Sequence, residues 1–333
     1  MKIAFFEIEE WEKPYLQKEL PGFEVSFFAE HLEKENVHLA AGADGISIFT
    51  GSQINEEMLR QLPDLKCITV RATGFDNVDV VAAKGHNIVV ANVPTYGENT
   101  VAEHTFGLIL NLSRKIYTSI QRVREKGFMP DGLRGFDLKG KTLGIVGTGH
   151  IGQHVARIAA GFEMNVMAFD VHQDKKLAKK LGFTYASLEE VLKKSDIISL
   201  HVPYNTHTHH LINSQNIGLI KKGAYLINTA RGGVVETDAL VKALTDGTLA
   251  GAGLDVLEGE HEIAEERELL TKKFQQNPDL KTMLEDHVLM EMENVIITPH
   301  NAFNSQEALE RILATTVENI QGFAKKKPVN IVS

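Results

Sequence analysis

A glycine-rich hexapeptide is the part of the sequence whose spacing most directly indicates chemistry. Gly147, Gly149 and Gly152 form the pattern G-x-G-x-x-G. The apolar run 142–146 precedes it and a helical pattern follows it, as in the strand–loop–helix units that bind dinucleotides. In such units the first glycine allows a tight turn, the second lets the backbone approach a pyrophosphate, and the third lets helix and strand pack closely. A glycine turn with a purely structural role is the alternative.

An acidic residue, Asp170, stands 18 residues after the last glycine of the loop, directly after the apolar run 165–169. A carboxylate there can accept hydrogen bonds from an adenosine ribose and would repel a 2′-phosphate. No arginine directly follows Asp170, and the lysines nearby, Lys175 and Lys176, are more distant. The sequence therefore predicts NAD rather than NADP as the cofactor.

Short apolar runs alternate with helical patterns along the chain, which is typical of parallel α/β sheets. The predicted strands form a first series at 3–6, 24–28, 45–49, 67–70 and 87–91, and a second series at 142–146, 165–169, 196–200, 224–228, 252–254 and 294–298. Two such series in 333 residues predict an α/β protein with two doubly wound parallel sheets.

Helical patterns connect and close these series. Residues 100–117 predict a helix with a broad apolar surface between the two domains. A last helix is predicted with Asn304 as its N-cap and Glu307 three residues later, and we expect it to return to the first domain. Segment 258–293 carries eleven acidic and four basic side chains without a strong apolar period, which predicts a solvated helical insertion. A surface for docking a partner is the alternative.

Composition excludes several classes of protein. A net charge of −9 argues against a nucleic acid as the main partner. We find no apolar run long enough for a membrane span and no signal-peptide pattern, so we expect a soluble protein of the cytoplasm. The single cysteine, Cys67, lies in the apolar run 65–70, which favours a buried structural thiol over a nucleophile.

Three further motifs follow the glycine loop in order: 228–233 (NTARGG), 253–260 (GLDVLEGE) and 298–300 (TPH). Together the four motifs resemble those of the D-isomer-specific 2-hydroxyacid dehydrogenases, and they are most similar to the D-lactate dehydrogenase branch. The resemblance spans nearly the whole chain. It implies a flavodoxin-like substrate domain from residues 1–99 and 301–333, a Rossmann-type NAD-binding domain from residues 100–300, and a cleft between them.

By motif position, Arg231, Glu260 and His300 resemble the family's catalytic residues. Interconversion of a 2-hydroxy acid and a 2-oxo acid needs a hydride acceptor, an acid/base group and a cation for the carboxylate. His300 suits the acid/base role because imidazole titrates near neutral pH, and Glu260 would orient it and favour its protonated form. Arg231 offers a permanent planar charge for the carboxylate and can polarise the carbonyl. Since His261 stands where shorter relatives usually have a proline, Glu258 remains the alternative partner of His300.

The resemblance also implies substrate contacts. In the loop 71–77, the backbone N–H groups of Thr73 and Gly74 match those that hold the substrate carboxylate. Tyr96 matches an active-site tyrosine of the lactate branch, and a half-buried loop aromatic is the alternative. Phe303 follows His300 by three residues, where a ring could close the pocket over the methyl group of pyruvate. Packing at the start of the last helix is the alternative for Phe303.

Cofactor contacts are implied in the same way. His150 and Ile151 complete the glycine loop, and the adenosine is covered by Val202, Pro203 and Thr208. The nicotinamide side is assigned to Thr229, Ala230, Arg231 and Asp255.

Several histidines raise the question of a metal site: His201, His207, His209 and His210. The loop that contains the last three carries no cysteine or carboxylate at ligand spacing, and a site made only of imidazoles needs three converging rings. We therefore expect no metal ion.

These patterns together predict an NAD-dependent D-2-hydroxyacid dehydrogenase that interconverts D-lactate and pyruvate. We expect a homodimer through the cofactor domain, to which the broad apolar surface of residues 100–117 contributes. A dehydrogenase for a bulkier 2-oxo acid or for glycerate is the nearest alternative. An NAD-sensing scaffold of the corepressor type is the alternative from another class, and the three filled catalytic positions argue against it.

Overall fold

The structure, a computed structural model, describes residues 1–259 and 280–332. The chain forms two compact units, Met1–Gly97 with Asn304–Ser333, and Glu98–Phe303. Each unit is built on one parallel sheet flanked by helices, so the predicted class of two doubly wound α/β domains is confirmed.

The first unit contains the strands β1 (Lys2–Phe5), β2 (Glu24–Phe27), β3 (Gly45–Ile48), β4 (Cys67–Val70) and β5 (Val89–Ala91). Its helices from the first part of the chain are α1 (Lys13–Glu19), α2 (Glu56–Leu59) and α3 (Val80–Gly85). The strand order is β2-β1-β3-β4-β5. This order is that of flavodoxin-like sheets, in which ligands bind beyond the carboxyl ends of the strands.

The second unit contains the strands β6 (Thr142–Val146), β7 (Asn165–Phe169), β8 (Thr184–Tyr185), β9 (Ile197–Leu200), β10 (Ala224–Asn228), β11 (Leu249–Leu254) and β12 (Val295–Ile297). Its helices are α4 (Glu98–Arg114), α5 (Ile116–Lys126), α6 (His150–Gly161), α7 (Lys175–Leu181), α8 (Leu188–Lys194), α9 (Thr237–Thr245) and α10 (Leu280–Glu291). The strand order β12-β11-β10-β9-β6-β7-β8 reverses direction between β6 and β9. That reversal is the switch point at which Rossmann-type sheets bind dinucleotides.

The last helix, α11 (Gln306–Ala324), belongs to the first unit. Its apolar side chains Leu313, Val317 and Ile320 pack in one buried cluster with Ile3 and Phe5 of β1. The predicted N-cap is wrong by one residue, because the Ser305 hydroxyl, and not Asn304, accepts the hydrogen bond from the backbone N–H of Ala308.

The structure differs from the sequence-based prediction at three further elements. The two-residue strand β8 was not predicted. The predicted helix 100–117 is interrupted at Lys115, whose φ of 51° is left-handed, so that α4 and α5 are separate helices. In the acidic segment 258–293, residues 260–279 lie outside the described residues, and α10 is not simply solvated, because Asp286 and Leu289 are fully buried.

The described helices include none that is both long enough and apolar enough to span a membrane. Cys67 is buried in β4, as predicted. Burial raises the pKa of its thiol to about 12, which leaves it protonated and unsuited to nucleophilic attack.

Candidate active site

The glycine loop connects β6 to α6, and two of its glycines are required by close contacts. Gly147 has a φ of +97°, and a Cβ atom on it would lie 2.4 Å from the carbonyl oxygen of His201. A Cβ on Gly152 would lie 2.1 Å from the carbonyl oxygen of Gly147. A Cβ on Gly149 would meet nothing within 4 Å, so this glycine leaves room for another group.

The N-terminus of α6 is suited to binding an anion. Its N-cap is Gly149, and no side chain caps the helix there. The first backbone N–H groups of a helix have no intrahelical partner, and here they belong to His150, Ile151 and Gly152. These free donors and the positive end of the helix dipole fit a dinucleotide pyrophosphate.

Asp170 directly follows β7 and binds the glycine loop. One carboxylate oxygen accepts hydrogen bonds from the backbone N–H of Thr148 at 2.7 Å and from its hydroxyl at 2.9 Å, and the other accepts from His172 N at 2.8 Å. Burial of Asp170 opposes its ionisation, but the hydrogen bonds from His172 and Thr148 outweigh this effect and hold the pKa of its carboxyl below the ordinary value. Asp170 is therefore a fixed negative charge beside the glycine loop.

The segment after β9 carries the residues assigned to the adenosine. His201 packs against Gly147, and its Nε2 lies 2.8 Å from the Ser199 hydroxyl. Burial lowers the pKa of the His201 imidazole to about 3, so the ring is neutral at pH 7. The Thr208 hydroxyl donates to the carbonyl oxygen of Pro203 at 2.6 Å, which closes the loop that begins at the half-buried Val202.

The segment after β10 is fixed by its own hydrogen bonds. The side-chain amide of Asn228 donates to the carbonyl oxygen of Arg231 at 2.9 Å, and its carbonyl accepts from Ala230 N at 3.1 Å. The Thr229 hydroxyl lies 3.0 Å from that of Thr105 on α4. The half-buried Arg231 is therefore presented on a rigid backbone directly after the sheet.

Asp255, directly after β11, organises the loop that carries His300. Its side chain is 1% exposed, and its carboxylate accepts hydrogen bonds from the Thr298 hydroxyl, Asn301 N and Ala302 N at 2.5 to 3.0 Å. The backbone N–H of His300 donates to the Asp255 carbonyl at 2.8 Å, and His300 has a left-handed φ of 50°. The sequence predicts Asp255 on the nicotinamide side, and in the structure its buried carboxylate fixes the backbone of the loop that carries His300.

His104 of α4 joins this network, and sequence reasoning missed it. Its Nε2 lies 3.0 Å from the Thr298 hydroxyl and 3.4 Å from Asp255 Oδ1. A histidine on the mainly apolar helix α4 was the available signal.

Strand order brings the remaining catalytic candidates to one edge of the second sheet. β10, β11 and β12 are adjacent and parallel, so Arg231, Asp255 and His300 all follow carboxyl ends at the same edge. The glycine loop and Asp170 follow β6 and β7 at that edge too. Glu260 lies outside the described residues. The alternative, Glu258, binds His210 with one carboxylate oxygen and Thr237 with the other.

The substrate candidates of the first unit follow β4 and β5, which are also adjacent and parallel. The Thr73 hydroxyl donates to the Val93 carbonyl at 3.0 Å, and the Asn92 side chain donates to the Thr73 carbonyl at 2.8 Å. Within the part of the chain that the structure describes, the backbone N–H groups of Thr73 and Gly74 have no hydrogen-bond acceptor. They are available to an anion.

Two arginines fix these loops. Arg71 is fully buried after β4 and donates to the carbonyl oxygens of Phe6 and Glu7 at 2.8 and 2.6 Å, which ties the end of β4 to the end of β1. Arg311 of α11 donates to the Tyr96 carbonyl at 2.5 Å. Tyr96 is half-buried, as is Phe303, the last residue of the second unit.

Residues 106–302 match the family model "D-isomer specific 2-hydroxyacid dehydrogenase, NAD binding domain". This range contains the glycine loop, Asp170, Arg231 and His300. The domain binds NAD, which confirms the predicted cofactor, and the cradle at the N-terminus of α6 fits it.

The chain is also similar to known proteins over nearly its whole length. It is 40% identical to a 2-hydroxyacid dehydrogenase homolog of Zymomonas mobilis, with 96% of each chain covered. It is 34% identical to the D-lactate dehydrogenase of Escherichia coli, with 98% of this chain and 97% of the relative covered. The crystal structure of D-lactate dehydrogenase from Aquifex aeolicus, complexed with NAD and lactic acid, matches with a TM-score of 0.89, 38% identity, and coverage of 99% of this chain and 98% of that one. The chain therefore belongs to the family of D-isomer-specific 2-hydroxyacid dehydrogenases.

Proposed function

We propose that the protein is an NAD-dependent dehydrogenase that interconverts D-lactate and pyruvate. The observation that carries this proposal is the position of Arg231 and His300, which follow β10 and β12 on either side of β11, at the sheet edge that also carries the glycine loop. The similarity to D-lactate dehydrogenases supports lactate as the substrate.

The cofactor would be held along this edge of the second sheet. The N–H groups of the α6 N-terminus bind the pyrophosphate, and Asp170 accepts hydrogen bonds from the adenosine ribose. Val202, Pro203 and Thr208 cover the adenosine, and Thr229 and Ala230 border the nicotinamide. Bound there, NAD would supply the hydride acceptor for oxidation at C2 of the hydroxy acid, and NADH the hydride donor for reduction of the oxo acid.

The substrate carboxylate is bound by a cationic side chain and by backbone N–H donors. The Arg231 guanidinium pairs with the carboxylate through its planar donors and polarises the reacting carbonyl. The free N–H groups of Thr73 and Gly74 offer an anion nest of the kind that holds carboxylates. Tyr96 is assigned to the same substrate.

The proton moves through His300. In oxidation its imidazole takes the proton of the C2 hydroxyl, and in reduction the imidazolium returns a proton to the carbonyl oxygen. We assign Glu260 to orienting His300 and favouring its protonated form. Asp255 acts through the backbone, because its carboxylate fixes the loop 298–302 on which His300 is presented.

We further propose a homodimer that forms through the second unit. The sequence pointed to the apolar surface of residues 100–117, but the apolar side chains of α4 are largely buried inside the unit, for example Phe106, Leu108 and Ile109. Instead, α5 and the segment after it carry exposed apolar side chains: Ile116, Tyr117, Ile120, Val123, Phe128 and Met129. This exposed apolar stripe supports an interface at α5, because exposed apolar patches are typical of protein–protein contacts.

The substrate assignment is tested by following NADH absorbance with pyruvate, 2-oxoisocaproate and phenylpyruvate. We expect the highest kcat/KM for pyruvate. Phe303→Ala should lower kcat/KM for pyruvate and raise it for the bulkier acids, whereas Phe303→Leu, which keeps most of the volume, should change the preference less. Equal losses on all three acids would assign Phe303 to packing. NADH binding without turnover of any 2-oxo acid would contradict the enzymatic proposal and favour an NAD-sensing scaffold.

A further inference from the structure

A cluster of two histidines and one glutamate lies outside the proposed catalytic residues. His209, His210 and Glu258 each offer one ligand atom, and these atoms all lie within 4.8 Å of one another. His210 Nε2 is 2.5 Å from Glu258 Oε1, although the two residues are 48 positions apart in the chain. The histidine-rich loop has no carboxylate of its own at ligand spacing, and the fold brings Glu258 to it.

The backbone and side chains of the cluster are held in place. His210 has a left-handed φ of 48°, and its N–H donates to the Gly233 carbonyl at 2.8 Å. Glu258 Oε2 accepts from the Thr237 hydroxyl at 2.7 Å, which leaves Oε1 directed at His210. The Tyr204 hydroxyl lies 3.0 Å from His209 Nδ1, and the tautomer that donates from Nδ1 leaves the lone pair of Nε2 available. Such outer contacts orient the ligands of metal sites.

The donor set and its dimensions suit zinc. Ligand atoms at about 2.1 Å from a tetrahedral Zn²⁺ lie about 3.4 Å from one another. In the cluster, His210 Nε2 and Glu258 Oε1 are 2.5 Å apart and no two ligand atoms are more than 4.8 Å apart. The spacing that zinc needs lies within this range. Two imidazoles and a carboxylate are common zinc ligands, and three protein ligands leave a fourth position for water. The rings of His209 and His210 are stacked, with centroids 3.8 Å apart, so binding one ion through both requires one ring to turn about its side-chain bonds until its nitrogen points at the ion.

We propose that His209, His210 and Glu258 form a binding site for one Zn²⁺ ion. The ion would replace the His210–Glu258 hydrogen bond, with His209 as the third ligand. The expectation of no metal rested on the absence of a carboxylate near these histidines in the sequence, and the fold removes that reason.

The test is calorimetric titration of ZnCl₂ into protein without an affinity tag, after dialysis against a chelator. We expect one site per chain, weakened at least about 100-fold by His209→Ala and about tenfold by Tyr204→Phe, which removes only the outer contact. His207→Ala is the matched control, since His207 is an exposed histidine of the same loop outside the cluster, and it should bind Zn²⁺ as the unchanged protein does. Co²⁺ in place of Zn²⁺ should give visible absorption typical of tetrahedral coordination, lost in His209→Ala.

Three results would overturn the proposal. The first is the absence of a one-to-one Zn²⁺ site in the unchanged protein. The second is an equal loss of affinity in His207→Ala and His209→Ala, which would indicate non-specific binding by surface histidines. The third is a site that survives His209→Ala but disappears in His300→Asn, which would place the ion at the proposed catalytic histidine.

Discussion

Arg231 combines a permanent charge with a backbone fixed by Asn228, and this combination leads to a sharp prediction. Arg231→Gln keeps hydrogen-bonding capacity but loses the charge on the carboxylate and the reacting carbonyl. We expect kcat/KM for pyruvate to fall about 100- to 1,000-fold, the scale for loss of one transition-state donor. Arg231→Lys keeps the charge and should lose less. Steady-state kinetics on variants with unchanged circular dichroism measure both effects, and a near-normal Arg231→Gln enzyme would remove this residue from the site.

Cofactor choice should depend on Asp170. Asp170→Ser removes a carboxylate that can bind the ribose and repel a 2′-phosphate. The kcat/KM with NADH should therefore fall, and the ratio of kcat/KM with NADPH to kcat/KM with NADH should rise. Asp174 is the matched control: its carboxylate caps α7, and Asp174→Ser keeps a capping side chain on the same loop. That control should leave the ratio unchanged. An unchanged protein that already prefers NADPH is incompatible with this role for Asp170.

Glu7 should contribute stability that is lost in acid. Burial raises the pKa of its carboxyl, but hydrogen bonds from His31, Ser52 and the backbone N–H groups of Gly51 and Phe49 outweigh this and lower it from 4.5 to about 2. Because the folded pKa is the lower one, the stabilisation is complete above about pH 4.5 and disappears as the pH falls towards 2, and its full value is about 3 kcal/mol. Urea unfolding between pH 6 and 3 should therefore show a steeper loss of stability for the unchanged protein than for Glu7→Gln. Parallel curves would contradict this assignment.

The β6–α6 unit is the element that most strongly restricts which amino acids its positions accept. Gly152→Ala places a Cβ atom 2.1 Å from the Gly147 carbonyl, so it should lower both the melting temperature and NAD affinity. Gly149→Ala meets nothing within 4 Å and should fold normally but bind NAD more weakly, since it fills the space beside the proposed pyrophosphate site. Gly161→Ala, on the same helix and also without a close contact, is the control. Thermal unfolding and NAD titration separate the three, and weak folding of Gly149→Ala would count against the open cradle.

Most strands could be predicted from the sequence because both faces of these parallel sheets are buried. β3, β4 and β9 are buried at every position, so they consist mainly of apolar residues that are easily recognised. β8 consists of only Thr184 and Tyr185 and gives no such pattern. The end of α4 at Lys115 was missed because apolar residues continue at helical spacing across the break, and only a backbone angle marks it.

The candidate site was predictable where a motif names a residue and was not predictable where the fold joins distant residues. Arg231 and His300 stand in short motifs directly after strands. The contact of His104 with Thr298 joins residues 194 positions apart, and that of His210 with Glu258 joins residues 48 apart. Neither pair has a local pattern, because the distance between the partners depends on the order of strands and helices in the sheet.

For the whole molecule, the exposed apolar stripe of α5 predicts the oligomeric state. Light scattering should find a dimer at micromolar concentration, and Val123→Glu, which puts a charge on the stripe, should shift it to a monomer. Val171→Glu changes an 80% exposed valine outside the stripe and should leave the dimer intact. A stable monomer of the unchanged protein would contradict the proposal, and equal dissociation by both variants would move the interface away from α5.

The return of α11 to the first sheet also determines the order in which the two units can fold during synthesis. The second unit is one continuous stretch, Glu98–Phe303, and all of it has been synthesised before α11 emerges. The first unit begins at Met1, but its cluster around Ile3 and Phe5 is incomplete without Leu313 and Ile320. During synthesis the unit translated second is therefore the first able to close its core. In the amino-terminal unit, the apolar cluster of β1 has only Leu16 and Leu20 of the α1 region over it until the last helix arrives.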